Sequence, residues 1–356
     1  MKIYYKSKIA KLFTFIDGYK TIMLFGAVFT ESDAVSLRTE YHEEAHCNQY
    51  HTLFYFGMFI SLLTIGLCLL FGNVGWWMLW LSLIPIFLYY AWYLIEYLIR
   101  LCIYRDHDKA YHNIVFELVE VVEELKSSGT WMVPAGCKFV DVFIVGGGGS
   151  GASSGPERGG GGGGSGYVKT YLDVPVTPES VVSYSIGKGG DRVVSMSAYD
   201  DQKNGLPGSE SWFKSNSIKA LGGNGGRYSG RGGDGGSGGG SGRPEEKTTG
   251  YIGGSDGSNG AGDMPGIGQG STTRCPFNNK LYAGGGGGGG EYSSGSAPGG
   301  GGIGYVGDIS RRPTNGEPNT GSGGGSFYIS GSNVSGGCYS GAGGSGIIIL
   351  RYMKYK

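Results

Sequence analysis

Phe139-Val-Asp-Val-Phe-Ile-Val145 runs without a break into Gly146-Gly-Gly-Gly149. The first seven residues are rich in β-branched and aromatic side chains and read as a strand. The next four carry no side chain at all. How the chain continues after such a strand decides the fold of everything downstream. Glycine tracts recur over residues 159–164, 222–242, 284–290 and 299–302. Gly/Ser tracts commonly form flexible linkers. Here single aromatic residues and further strand-like segments interrupt the tracts: Tyr167-Val-Lys-Thr-Tyr-Leu-Asp-Val174, Val181-Val-Ser-Tyr-Ser-Ile186, Ser211-Trp-Phe213 and the closing Gly346-Ile-Ile-Ile-Leu-Arg-Tyr352. Collagen is excluded, because no sustained Gly-X-Y repeat with abundant proline is present. The pattern therefore predicts an all-β small sandwich joined to packed polyglycine II helices. In such helices the main chains bond laterally, and many segments must pack together to offset the entropy of ordering glycine.

Upstream the composition changes sharply. All five histidines precede residue 113, whereas most of the 74 glycines follow residue 145. The chain of 356 residues is thus multidomain, with an α-helical amino-terminal domain over 1–126 and the glycine-rich domain over 127–356. Net charge is zero, so no basic field argues for nucleic acid. The six cysteines are scattered with no CxxC pair, which favours inert thiols over a disulfide framework or a cysteine zinc site.

Two apolar runs, about 53–71 and 76–95, are each long enough to cross a bilayer core of ~30 Å as a helix. A Gly72-Asn-Val-Gly75 break between them predicts a helical hairpin. The other reading is a hairpin buried in a soluble protein. Trp76, Trp77, Trp80 and Trp92, with the tyrosines around Tyr89–Tyr97, suit interfacial anchoring. Pro85 is placed to kink the second helix. Lys2, Lys6, Lys8 and Lys11 precede the hairpin, and Arg100, Arg105 and Lys109 follow it. By the positive-inside rule both termini are cytoplasmic. The glycine-rich domain would then lie inside the cell, unless the protein acts at lysis or inserts the other way.

Just before the hairpin, His42-Glu-Glu-Ala-His46 reads H-E-x-x-H. On a helix, residues four apart share a face. His42 and His46 can therefore ligate one metal while Glu43 serves a water as general base. A polar helix with two surface histidines gives the same letters. Thr21-Ile-Met-Leu-Phe-Gly-Ala-Val-Phe-Thr30 reads as one strand before it, and Ser32, Asp33 and Ser36 are candidate helix caps. Either Glu96 or Glu117 can complete the metal site, and Glu96, in an apolar helix, requires a partner. Glu117 begins what reads as another helix, continuing Leu-Val-Glu-Val-Val-Glu-Glu-Leu125.

Two resemblances follow. The segments 21–29, 42–46, 92–100 and 105–117 together resemble small gluzincin-type metallopeptidase-like membrane proteins. That resemblance implies a zinc ion held by His42, His46 and Glu117, with Glu43 as general base. Ser128-Gly-Thr-Trp-Met-Val-Pro-Ala-Gly-Cys-Lys-Phe-Val-Asp-Val-Phe-Ile-Val-Gly-Gly-Gly-Gly149, with 181–190, 272–286 and 343–351, resembles the glycine-rich domain of phage tail-fibre and adhesin-like proteins. It implies a binding or structural module whose loops meet a surface receptor or glycan. Gly187-Lys-Gly-Gly190 lacks the spacing and the Ser/Thr of a phosphate loop. Asp256, Asn259 and Asp263 lack a downstream EF-hand glutamate and read as a turn. The leading expectation is a membrane-anchored glycine-rich binding or structural protein, and the alternative is a membrane-embedded zinc peptidase.

Overall fold

The computed structural model describes residues 1–13, 20–72, 75–112, 114, 118–153, 159–195, 203–242, 273–289, 299–304, 312–328 and 338–355. The chain forms two compact units, one of residues 1–120 with 353–356, the other of 121–352.

The first unit holds strands β1 (Lys2–Tyr4), β2 (Thr21–Leu24) and β3 (Ala27–Thr30), and helices α1 (Lys8–Phe13), α2 (Leu37–Leu70), α3 (Met78–Leu81), α4 (Ile84–Tyr104) and α5 (His107–His112). The single strand expected over 21–30 is instead a hairpin, and with β1 it makes a sheet of order β1-β3-β2. Phe25 and Gly26 both take positive φ, 53° and 75°. Two such residues make the tight turn whose twist matches paired strands. A Cβ on Gly26 would lie 2.6 Å from His51 Nε2, so the His51 ring would have to shift to admit a side chain. Phe25 is an unusual residue for this turn, which is why the sequence reads as unbroken strand.

Helix α2 begins at Ser36, whose Oγ accepts from Thr39 N at 3.1 Å. It continues without interruption from the H-E-x-x-H segment into the first apolar run. Thirty-four residues give a rod of about 51 Å, well beyond a ~30 Å hydrocarbon core. The second apolar run is displaced from the expected 76–95. It splits into short α3 and then α4, whose first turn contains Pro85. Proline lacks an N–H that the first turn leaves unbonded anyway, so Pro85 starts this helix and does not kink it. Two segments, Thr39–Leu70 and Ile84–Tyr104, are long and apolar enough to cross a membrane. Only 11% and 6% of their most apolar windows is buried. Leu70 and Ile103, for instance, are 76% and 68% exposed. That exposure does not match a buried hairpin of a soluble core.

Residues 118–125 form a strand, not the expected helix: β4 (Leu118–Leu125). Val119, Val121 and Val122 are β-branched and favour the pleated surface. The remaining strands are β5 (Gly129–Met132), β6 (Phe139–Val145), β7 (Val168–Pro175), β8 (Val181–Ser185), β9 (Val194–Ser195), β10 (Ser211–Phe213), β11 (Ser215–Ala220), β12 (Cys338–Tyr339) and β13 (Ile347–Tyr355). Two four-stranded sheets run β11-β10-β8-β5 and β4-β13-β6-β7, with β12-β9 as a separate pair. Val140, Val142 and Ile144 of β6, with Ile348 and Leu350 of β13, join a core that also holds Trp131, Val182 and Phe213 of the other sheet. Their alternating neighbours Phe143, Val145, Ile347 and Ile349 enter a second core with Cys275 and Tyr282. Successive strand side chains point to opposite faces, so a sheet covered on both faces explains the near-continuous apolar runs. Asp141 breaks the run. It is buried and bonded to Arg351, with Nη2 at 2.7 Å and Nε at 3.0 Å, and it accepts from Asp173 N at 2.9 Å.

The glycine segments are hydrogen-bonded to one another through their backbones, and the partners rotate with a period of three. Gly146, Gly149 and Ala152 donate to Tyr167, Gly164 and Gly161. Gly147, Ser150 and Ser153 donate to Ser209, Leu206 and Lys203. Gly148 and Gly151 donate to Gly344 and Gly341. The neighbouring segment behaves the same way: Gly161, Gly164 and Tyr167 donate to Arg227, Asn224 and Leu221. A Cβ on Gly163 would run into the backbone of Gly149, so this close approach requires glycine. Buried serines supply further bonds. Ser237 Oγ donates to Ala283 O at 2.7 Å, and Ser165 Oγ accepts from Ser237 N at 2.7 Å.

Candidate functional site

The first unit contains a cavity of about 780 Å³. All four residues of β2 line it, together with His42, Glu43 and His46 of α2, Tyr89, Tyr90 and Tyr93 of α4, and His107 and Tyr111 of α5. β2 is an edge strand of its sheet. The i, i+4 spacing on α2 brings the two imidazoles together as the sequence predicts: His42 Nε2 and His46 Nε2 are 3.2 Å apart. Their ring planes stand nearly perpendicular, at 89°. Glu43 and His46 are buried, at 8% and 7% exposure.

His46 is held from behind. Its Nδ1 lies 3.1 Å from Gln49 Oε1 and 3.1 Å from the Tyr89 hydroxyl. The amide oxygen only accepts, so this contact suits the tautomer with its proton on Nδ1 and its Nε2 lone pair toward His42. Tyr93 packs edge-on to His46, with ring centroids 6.4 Å apart. Tyr97 OH meets His107 Nδ1 at 2.7 Å. Tyr89, Tyr93 and Tyr97 thus make a stripe at spacing four along α4 that faces histidines. The four-residue spacing was visible in the sequence, but nothing there linked Tyr89 and Tyr93 to His46, more than 40 residues upstream, or Tyr97 to His107, ten residues downstream.

Two Zn–N bonds of about 2.0–2.1 Å at a tetrahedral angle set their nitrogens roughly 3.3–3.4 Å apart. The 3.2 Å separation is compatible with that spacing, and equally with a hydrogen bond between the rings. The third expected ligand, Glu117, lies outside the described residues. Among the described residues no group of three His, Cys, Asp or Glu side chains comes together to hold a metal. Glu96 does not line the cavity. It accepts from Arg100, with Nε at 2.8 Å and Nη2 at 2.7 Å, a pairing that answers the need of a carboxylate in an apolar helix. Asp256, Asn259 and Asp263 lie outside the described residues. Gly187, Gly189 and Gly190 belong to the hydrogen-bonded glycine segments: Gly346 donates to Gly187 O and Gly343 to Gly190 O, each at 2.9 Å.

No curated protein matches the chain. The family described as a glycine-rich domain matches residues 124–353, well over half the sequence, and the chain belongs to that family.

Proposed function

We propose that this is a membrane-anchored glycine-rich protein whose carboxy-terminal unit serves as a rigid binding or structural module, tail-fibre-like and of phage or prophage derivation. The observation that carries the rigid-module reading is the threefold rotation of hydrogen-bond partners along residues 146–153 and 161–167. A left-handed helix with three residues per turn and no internal hydrogen bonds presents its N–H groups in three directions in turn. This supports packed polyglycine II helices beside a β-sandwich and argues against a flexible linker. Loops at the ends of such helices would meet a surface receptor or glycan.

Anchoring is argued from the exposed apolar faces of α2 and α4. The lysines of 2–11 and the basic residues 100–109 favour cytoplasmic placement of both ends. Alkaline carbonate extraction tests the anchor: the protein should stay with the membrane pellet, and release into the supernatant overturns it. Protease protection in sealed vesicles reads which side the glycine-rich unit occupies. The polyglycine reading predicts that residues 146–153 and 161–167 resist limited proteolysis; rapid cleavage there overturns it.

A second reading is favoured by the facing histidines. His42, His46 and Glu117 would hold zinc, and Glu43 would take a proton from the attacking water. The ion would supply Lewis acidity. An extended peptide could lie along the β2 edge. The purified protein should then carry about one zinc per chain, lost in the His42→Ala/His46→Ala double variant. Peptide cleavage should vanish in Glu43→Gln with zinc retained. A metal-free wild type ends this reading and leaves the first intact.

A further inference from the structure

Arg192, Tyr339 and Arg312 gather on the glycine-rich unit from three segments far apart in sequence. The guanidinium carbons lie 5.1 Å and 5.6 Å from the centroid of the one tyrosine ring. Hydrogen bonds tie the three segments together. Tyr339 of β12 pairs with Val194 of β9, two residues beyond Arg192. Ser340 N donates to Val193 O at 3.0 Å, and Val193 N donates to Ser340 Oγ at 3.0 Å. On the Arg312 side, Ala342 N donates to Asn315 Oδ1 at 2.9 Å. The ring therefore sits on a segment tied to both of the segments that carry the arginines.

Both arginines are exposed, and neither has a carboxylate partner among the described residues. Arg100, Arg231 and Arg351 each do. Asp191, next to Arg192 in sequence, pairs with neither of the two. The Tyr339 hydroxyl likewise has no partner among the described residues. Cation–π attraction draws both guanidiniums to the one ring and neutralises neither charge. Planar guanidinium forks match oxyanions bidentately, and the phenol adds a third donor.

The geometry points to an oxyanion clamp: Arg192, Arg312 and Tyr339 bind a phosphate or sulfate group, free or borne on a glycan. This deepens the binding reading of the glycine-rich unit by naming its ligand class, and rests on that reading. The test is arginine footprinting of the full chain in detergent, using phenylglyoxal with and without inorganic phosphate or sulfate and peptide mass spectrometry. Labelling at Arg192 and Arg312 should be lost together, while Arg227 and Arg274 label as before. Arg312→Ala should abolish protection of Arg192 with no change in thermal midpoint. Glucose 6-phosphate protecting at lower concentration than inorganic phosphate identifies a glycan-borne group. Equal protection identifies the bare anion, and unphosphorylated glucose should not protect. Unchanged labelling at both arginines overturns the clamp. If glycan binding survives that result, the binding reading stands without it; if protection is seen without any glycan binding, the clamp stands and the binding reading falls.

Discussion

Gly163 and Gly66 show how differently one residue type is used in this chain. A Cβ at Gly163 would meet the Gly149 backbone, whereas at Gly66 on α2 nothing lies within 4 Å. Backbone packed on backbone has no rotamer to give way, so Gly163→Ala should destabilise by at least the ~1–3 kcal/mol of ordinary overpacking. Gly66→Ala, which gains helix propensity, should be neutral or stabilising by up to ~1 kcal/mol. Thermal unfolding of both variants in the same detergent checks the contrast, and equal effects would mean that the lateral contacts are not tight. Thiol chemistry gives a second reading at this scale. Burial pushes the Cys137 thiol up to about 11 and raises that of Cys275 as well. Neither should react with iodoacetamide at pH 8 until denaturant is added. The folded state holds the Cys137 proton more tightly than the unfolded state does. Its contribution to stability is therefore full below about 9 and is lost as pH rises toward about 11. A denaturation midpoint that rises over that window would contradict the burial of this thiol.

Among the elements, β6 and β13 carry a charge pair inside a sheet covered on both faces. Asp141 has 3% of its side chain exposed and Arg351 26%, and the Arg351 guanidinium also lies 4.5 Å over the Phe277 ring. Removing one partner strands the other, so Asp141→Ala should cost about 3–5 kcal/mol; a loss under ~1 kcal/mol would show that water reaches the pair. Helix α4 offers a second case. Tyr89→Phe deletes the hydroxyl behind His46 while keeping the ring. If zinc binds, its affinity should fall about 10–100-fold, the usual cost of losing an outer-shell partner, with the helical circular dichroism unchanged. An unaltered affinity would leave Gln49 as the group that orients His46. β4 shows why local reading misassigned an element. Leu118-Val-Glu-Val-Val-Glu-Glu-Leu125 has apolar residues at both strand-like and helix-like spacings. Pairing beside β13, more than 220 residues later, makes it a strand.

For the whole molecule, two compact units of opposite composition share one chain, and the amino-terminal one exposes two long apolar helices. The prediction at this scale is retention in the carbonate-washed pellet of the full chain. Polarity and side-chain chemistry determined much of this locally. The change of composition near residue 126, the strands at 139–145, 181–185 and 211–213, the two apolar runs and the pairing of His42 with His46 all depend on nearest neighbours along the chain. Those neighbours are printed in the sequence. Tertiary structure alone decided that the runs of glycine bond sideways with a period of three, because a glycine tract spells the same letters whether it is coil or lattice. It also decided the placing of Tyr89 and Tyr93 against His46 and the approach of Arg192 and Arg312 to the one ring of Tyr339. Each of these is set by segments distant in sequence, and hydrogen bonds between such segments leave no periodic mark on either one alone.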